Sequence, residues 1–233
     1  AGMLAALGAR LLDGNGGGLP PGGAALAGLA ERDRSGLDPR LADRRVEAAV
    51  DVDNPLLGAR GASAVFGPQK GATPEEVARL DAALARFADV TAAALGEEHR
   101  ELPGAGAAGG MGFAARAFLG AELRPGIELI MAQAGFEALL AEADLVITGE
   151  GQLDGQSLAG KTPIGVARAA HARGVPVAVL AGRMAPGWQA AYAEGVTAAC
   201  ALADVPMGLE EALARCAELL ADRAESTVRL FTA

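Results

Sequence analysis

From residue 144 onward, short apolar runs alternate with helical patterns, and this alternation limits the possible folds more than any other feature of the sequence. The apolar runs cover residues 145–148, 175–181 and 196–202, and the helical patterns cover 163–173 and 209–220. Strands that alternate with helices are typical of a parallel sheet with helices on its faces. We therefore predict an α/β fold.

The length of the chain allows more than one lobe. Its 233 residues exceed what one average domain requires, so two α/β lobes can each form a core. We place the boundary near residues 141–144, which gives a first lobe over 1–142 and a second over 143–233. Both lobes are expected to contain parallel or mixed sheets flanked by helices.

The first residues are read as part of a helix. Leu4, Leu7, Leu11 and Leu12 recur at helical spacing, and neither a cap nor an initiating methionine stands before them. We expect from this that the chain is cut upstream and that its first lobe is incomplete. Residues 13–23, rich in glycine and proline, are read as a surface connection.

Composition excludes several classes of function. A formal net charge of -9 with scattered Lys and Arg gives no basic surface for nucleic acid. The most apolar stretch, residues 104–123, is interrupted by Arg116 and Glu122 and makes a poor membrane span. Cys200 and Cys216 are too few for a disulfide framework. We expect a cytoplasmic protein that binds neither nucleic acid nor membrane.

Polar residues follow a predicted strand in the first lobe. Residues 46–53 are rich in valine, and the strand places Asp51, Asp53 and Asn54 at its C-terminal end before Pro55 stops it. A nearby segment, residues 67–71, carries Lys70. An Asp-Asn pair often only forms a turn, and a single lysine is usually a solvated surface residue. Both readings stay open.

A capping box predicts the longest helix. Thr73 is the N-cap, Pro74 the first helical residue, and Glu76 stands where its carboxylate can reach back to the cap amide. The helix is expected to end near Leu95 and to direct its apolar face into the core.

The segment after Thr148 is the densest group of chemical residues. Residues 149–154 hold Gly149, Glu150, Gly151 and Asp154, and Lys161 follows in residues 160–163. We read the segment as a loop between a strand and a helix. Its carboxylates can hold magnesium or accept a proton, and its lysine can neutralise a phosphoryl group. The alternative is a solvated turn that only caps the next helix.

Two glycine patterns in the chain match known nucleotide signatures only in part. Gly155, Gly160, Lys161 and Thr162 spell a phosphate loop, but we discount it because Gly155 lies seven residues beyond Thr148 and Pro163 removes an amide. Residues 104–110 contain the dinucleotide spacing, but a helix rather than a strand precedes them. The amides that begin a helix at residues 111–119 could bind an anion, and close packing of small residues is the alternative.

Three blocks carry a resemblance to a known family. They are DVDNPL at 51–56 continuing to GASAVFGPQKGA at 61–72, GAGAAGGMG at 104–112, and DLVITGEG at 144–151 continuing through Asp154 and residues 160–167. In these blocks the sequence resembles bacterial glycerate kinases of the first family, and weaker similarity covers nearly all of the chain. Val50 and Gly155 depart from the residues common in that family, which are cysteine and serine.

The resemblance implies phosphorylation of D-glycerate by ATP, with Mg2+, at the 2-hydroxyl. It makes residues 1–142 an inserted lobe and 143–233 the C-terminal part of a nucleotide-binding-like lobe. Asp51 or Asp154 would act on the glycerate hydroxyl, and Glu150 with one of these aspartates would hold the metal. Lys161 would act with them in catalysis. Substrate or phosphate contacts are expected from Asp53, Asn54, Lys70, Gly104, Gly106, Gly109, Gly110, Gly149 and Gly151.

Two other functions remain possible at this stage. A nicotinamide-dependent oxidoreductase would use residues 104–110 to bind its cofactor. A small-anion binding module would use the same polar groups without turnover. The sequence leaves the oligomeric state open.

Overall fold

A computed structural model describes residues 1–155 and 162–233. The α-helices are α1 (Gly2–Ala6), α2 (Ala62–Phe66), α3 (Pro74–Leu95), α4 (Ala107–Leu119), α5 (Gly126–Gln133), α6 (Phe136–Leu140), α7 (Thr162–His171), α8 (Leu209–Ala214) and α9 (Cys216–Phe231). The strands are β1 (Arg10–Leu12), β2 (Glu31–Asp33), β3 (Glu47–Val50), β4 (Glu122–Pro125), β5 (Val146–Leu153), β6 (Val177–Met184) and β7 (Ala198–Ala201). The predicted α/β class is confirmed.

The chain divides into a first unit, Ala1–Gly126, and a second unit, Ile127–Ala233. This division comes earlier than the boundary expected near residues 141–144, because Phe136 and Leu140 of α6 pack into the hydrophobic core of the second unit. The assignment of 1–142 and 143–233 to lobes with separate roles stays a prediction.

The start of the chain differs from the predicted first helix. Helix α1 ends at Ala6, and Leu11 lies in β1, which pairs with β2 in antiparallel fashion. Gly8 has a φ of 99°, a left-handed conformation, and a Cβ there would overlap the carbonyl group of Gly36. Leu4 and Leu11 reach the same core from a helix and from a strand, which spacing alone does not distinguish.

Helix α3 begins and ends as its sequence signals predict. The Thr73 hydroxyl accepts a hydrogen bond from the Glu76 amide at 3.3 Å, and the Glu76 carboxylate accepts one from the Thr73 amide at 2.8 Å. Gly96, with a φ of 75°, ends the helix in a left-handed conformation. The capping box is confirmed.

Three phenylalanines join α3 to α4 in the core of the first unit. The fully buried ring of Phe87 meets the ring of Phe113 edge-on at 5.4 Å and stacks on that of Phe118 at 5.8 Å. Aromatic pairs in these geometries add about 0.5–1.5 kcal/mol each beyond area burial. The cluster therefore fixes α4, which carries the glycine-rich segment at its start.

Ion pairs at the start of β3 and β4 align the two strands. The two strands are parallel, with Glu47 opposite Glu122 and Val50 opposite Pro125. The Arg45 guanidinium contacts both glutamates, at 3.2 and 3.0 Å, which offsets the repulsion between these facing carboxylates. The register places the residues after Val50 at the carboxyl end of the pair.

The second unit contains the parallel sheet that the alternating pattern predicts. Its strand order is β5-β6-β7, and both pairs are parallel. Ile164 of α7 and Val177 and Val179 of β6 are fully buried in its core. Trp188 and Tyr192 pack edge-on at 5.5 Å in a short 3-10 helix after β6.

Within residues 1–155 and 162–233, each helix is too short or too polar to span a bilayer.

Candidate functional site

Asp51 stands directly after β3, at the carboxyl end of the β3–β4 pair, as predicted. Its side chain is exposed and makes no hydrogen bond or ion pair with any other residue of the described ranges. Gly126 stands beside it, since a Cβ on Gly126 would lie 2.7 Å from Asp51 Oδ1. Asp51 is thus a carboxylate that is open to a ligand. It lies at the carboxyl end of a parallel strand pair, where ligands commonly bind.

Asp53 and Asn54 both contact Arg60, which the sequence analysis did not single out. A carboxylate oxygen of Asp53 lies 3.2 Å from the Arg60 guanidinium, and the Asn54 side-chain amide donates to the Arg60 carbonyl oxygen at 2.8 Å. The only sequence signal for Arg60 is that it is a cation seven residues after Asp53. That signal is weak.

The glycine-rich segment 104–110 packs on this same strand end. The Gly106 amide donates to the Asn54 carbonyl oxygen at 2.9 Å. A Cβ on Gly106 would overlap the Pro55 carbonyl oxygen, and one on Gly104 would lie 2.9 Å from Val50 Cγ2. The structure therefore brings two of the three sequence blocks together within the first unit. Close packing explains why residues 104 and 106 are glycines, and their predicted contacts with substrate or phosphate stay a prediction.

The dinucleotide reading of residues 104–110 lacks its structural context. In the described part of the chain, α3 and a turn precede the segment, and no strand leads into it. A dinucleotide fingerprint requires a strand, a tight turn and a helix in that order.

Three consecutive residues at the start of α4 have left-handed backbones. The φ values are 49° at Ala108, 71° at Gly109 and 89° at Gly110, and regular helix begins only after them. Gly109 and Gly110 also line a cavity of about 230 Å3 in the first unit. Ala108 is the one non-glycine residue with a positive φ among those described, and such strain is often found at functional sites.

Ala108→Gly is expected to stabilise the protein by roughly 0.5–1 kcal/mol, because glycine removes the steric cost of the left-handed backbone. Ala82→Gly is the matched control, since Ala82 is exposed within α3. There the same change should destabilise the protein by about 1 kcal/mol. Urea denaturation followed by circular dichroism measures both. Destabilisation by both changes would contradict the strained conformation at residue 108.

Arg100 links the segment that follows β3, residues 51–56, to α3. Its carbonyl oxygen accepts a hydrogen bond from the amide of buried Leu56 at 2.8 Å. Its guanidinium contacts Glu98 at 2.7 Å and Asp89 at 2.8 Å. The hydrogen bonds that its guanidinium donates to Glu98 and then to Asp89 raise the pKa of Arg100, and accepting the bond from Arg100 lowers the pKa of Glu98. Arg100 is therefore a structural cation that is already neutralised.

Lys70 lies in a different part of the first unit. It ends a short 3-10 helix and lines a cavity of about 420 Å3 together with Arg79, Glu76 and Leu80. The described lining of that cavity includes no residue of 51–56 or 104–110. The structure does not join Lys70 to the strand-end carboxylates, and its predicted contact with substrate or phosphate stays a prediction.

Gly149, Glu150 and Gly151 lie inside β5, so the prediction of a loop directly after Thr148 is wrong. Strand β5 extends to Leu153 and pairs with β6 along its length, with Glu150 opposite Ala181. The physical reason is close approach, since a Cβ on Gly149 would overlap the Leu180 carbonyl oxygen of β6. Glycines that resemble a loop in sequence here permit tight strand pairing.

Asp154 follows the end of β5, and Lys161 lies outside the described residues. The Gln152 side-chain amide donates to an Asp154 carboxylate oxygen at 2.7 Å. Gly155 comes two residues after Leu153, so the distance argument against a phosphate loop is wrong. The argument from Pro163 still holds, because it is the second residue of α7 and has no amide hydrogen.

Glu150 and Asp154 are the predicted metal ligands. Side chains alternate along a strand, so Glu150 shares a face with Gln152, and the Oε1 atom of Glu150 is buried. Within the described ranges, no group of three or more His, Cys, Asp or Glu residues could hold a metal ion. Magnesium usually takes only one or two carboxylates besides water and phosphate oxygens, so this pair suits it chemically.

Comparison with known proteins gives a consistent result. The glycerate kinase family model matches residues 1–232. A glycerate kinase of Bacillus subtilis (strain 168) is 48% identical over 220 residues, which cover 94% of this chain and 58% of that protein. A glycerate 2-kinase of Escherichia coli (strain K12) is 48% identical over 198 residues, which cover 85% of this chain and 52% of that protein.

A solved structure agrees with the sequence relatives. The crystal structure of a protein described as glycerate kinase 2 from Salmonella typhimurium LT2 matches with a TM-score of 0.81 and 47% identity, over 99% of this chain and 60% of that one. The chain thus spans between about half and 60% of the length of these three proteins. The match over residues 1–232 establishes that the chain belongs to the glycerate kinase family.

Proposed function

We propose that the chain takes part in phosphoryl transfer from ATP to the 2-hydroxyl of D-glycerate, which gives 2-phosphoglycerate and ADP, in the cytoplasm. The family match over residues 1–232 carries this proposal. The choice of the 2-hydroxyl is supported by the name of the Escherichia coli relative, glycerate 2-kinase.

Asp51 is the proposed general base. One carboxylate oxygen of Asp154 is already engaged by the Gln152 side-chain amide. Asp51 is exposed and makes no such bond within the described ranges. As the hydroxyl oxygen attacks the γ-phosphorus, its proton passes to Asp51, the new O–P bond forms, and the bond from phosphorus to the ADP oxygen breaks.

The second unit is proposed to act on the phosphoryl donor. Glu150 and Asp154 would hold Mg2+, which neutralises phosphate oxygens when it is bound. Lys161 would contact the transferring phosphoryl group, and Gly149 and Gly151 of β5 are proposed to contact phosphate or substrate. In the first unit, the proposed phosphate or substrate contacts also include Asp53, Asn54, Lys70, Gly104, Gly106, Gly109 and Gly110.

The proposal is tested by ADP release from the chain with ATP, Mg2+ and D-glycerate, with the Bacillus subtilis relative as a positive control. Phosphorus and carbon NMR of the product distinguish phosphate on the 2-hydroxyl from phosphate on the 3-hydroxyl. We expect ADP and 2-phosphoglycerate in equal amounts.

Two other results would overturn the proposal. If the folded chain binds D-glycerate but releases no ADP, it acts as a small-anion binding module. If it instead oxidises substrate with a nicotinamide cofactor and ignores ATP, the oxidoreductase reading is correct.

A further inference from the structure

Several hydrogen bonds hold the loop between the strand-end carboxylates and α2, residues 55–61. Leu56 is fully buried, and its carbonyl oxygen accepts a hydrogen bond from the Ala62 amide at 3.1 Å. The Gly58 amide lies 3.3 Å from both carboxylate oxygens of Asp81 on α3. A Cβ on Gly61 would overlap the Leu57 backbone. These contacts anchor the loop at its start, middle and end, and so define the backbone position of the residue directly before Gly61.

That residue is Arg60. Its main chain and its side chain have different partners. Its carbonyl oxygen accepts the Asn54 side-chain amide at 2.8 Å, which fixes the backbone. Within residues 1–155 and 162–233 its guanidinium has one ion pair, to Asp53 at 3.2 Å, and the side chains of Arg60 and Asp53 are 71% and 78% exposed. Single exposed ion pairs contribute little to stability, so a ligand can displace this one at small cost.

An anionic substrate needs a cation at this place. Asp51 and Asp53 are two carboxylates within three residues, and they would repel the carboxylate of D-glycerate. Arg100 cannot supply the attraction, because Asp89 and Glu98 already neutralise it and its side chain is only 24% exposed. Arg60 lies beside Asp53 and remains accessible.

The side-chain type also suits the ligand. A guanidinium presents a planar fork of donors that matches a carboxylate with two parallel hydrogen bonds, whereas an ammonium acts as a point charge. Because the Arg60 backbone is already held by Asn54, only the freedom of the side chain has to be lost on binding.

We propose that Arg60 binds the carboxylate of the acceptor substrate and exchanges its ion pair with Asp53 for two hydrogen bonds to that carboxylate. Arg60 then selects 2-hydroxy acids over neutral polyols, and it positions the 2-hydroxyl for the group that removes its proton. The inference deepens the proposed function and rests on it.

The test measures dissociation constants by isothermal titration for the unchanged chain, Arg60→Gln, Arg60→Lys and the control Arg40→Gln. Arg40 is also an exposed arginine of the first unit that forms an ion pair with a nearby aspartate, Asp38. The ligands are D-glycerate and D-glyceramide, a neutral amide with the same hydroxyl groups. Melting temperatures of all four proteins confirm that each is folded.

For D-glycerate, Arg60→Gln is expected to raise the dissociation constant about 10- to 100-fold, the usual effect of losing a charge-assisted pair. Arg60→Lys should give a smaller loss, since charge remains but the fork is absent. Arg40→Gln should bind as the unchanged chain does, and the dissociation constants for D-glyceramide should agree among all four proteins.

The possible failures separate the two proposals. If the unchanged chain binds D-glycerate and Arg60→Gln binds it equally well, the role of Arg60 is wrong while the proposed function stands. An equal loss in Arg40→Gln would also overturn it, because the effect would then be one of net charge. If the folded, unchanged chain does not bind D-glycerate, both proposals are wrong.

Discussion

Asp51→Asn is expected to lower kcat for D-glycerate phosphorylation by about 100- to 10,000-fold, the range associated with loss of a general base. Asparagine has nearly the same shape but cannot accept the hydroxyl proton. Because the Asp51 side chain makes no bond to other residues of the described ranges, the substitution should leave the melting temperature unchanged. ADP release at saturating substrate measures the effect.

Two further variants make this experiment specific. Asp43→Asn is the control, since Asp43 is exposed in the first unit, precedes β3 and has no proposed role. Asp154→Asn should raise the Mg2+ concentration needed for half-maximal activity. Full turnover by Asp51→Asn, with the loss appearing in Asp154→Asn instead, would move the base to Asp154.

Gly106→Ala is expected to destabilise the first unit by about 3 kcal/mol, at the upper end of the usual cost of overpacking. The new Cβ would overlap the Pro55 carbonyl oxygen and lie 3.1 Å from that of Asn54. Both contacts are backbone atoms, which cannot rotate away as a side chain can. The hydrogen bond from Gly106 to Asn54 would also have to lengthen.

Thermal denaturation followed by circular dichroism tests this change, with a fall in Tm of roughly 6–12 °C expected. Gly14→Ala is the control, because a Cβ on exposed Gly14 would meet no atom within 4 Å, and its effect should stay within about 0.5 kcal/mol. An unchanged Tm in Gly106→Ala would mean that the glycine segment does not pack tightly on the strand end.

Local signals explain which parts of the fold could be predicted. Helix α3 is predicted correctly because its capping box and its apolar face lie within the helix or next to it. The parallel sheet of the second unit follows from apolar runs whose burial on both faces leaves a clear pattern, as in Val177, Ala178 and Val179. Each signal involves residues that are close in sequence.

Long-range contacts explain the parts that were missed. Glycines at 149 and 151 suggest a loop until the pairing of β5 with β6 is known, and no local rule contains that pairing. At the start of the chain, four leucines fit a helix equally well, and the approach of Gly8 to Gly36 decides otherwise.

The candidate site shows the same contrast between local sequence signals and long-range contacts. Asp51, Asp53 and Asn54 are predicted site residues because they follow a recognisable strand, and the structure joins Asn54 to Gly106. Arg60 was missed since an exposed arginine in a short loop resembles any solvated residue. Its importance depends on the hydrogen bond from Asn54 and the ion pair with Asp53, which are three-dimensional facts.

The edge-on pair in the 3-10 helix after β6 has a spectroscopic consequence. Trp188 is the only tryptophan and Tyr192 the only tyrosine of the sequence, and both belong to the second unit. Indole emission therefore reports unfolding of the second unit alone, whereas backbone dichroism reports both units. Overlaid denaturation curves from the two signals reveal, without any label, whether the units unfold together or one before the other.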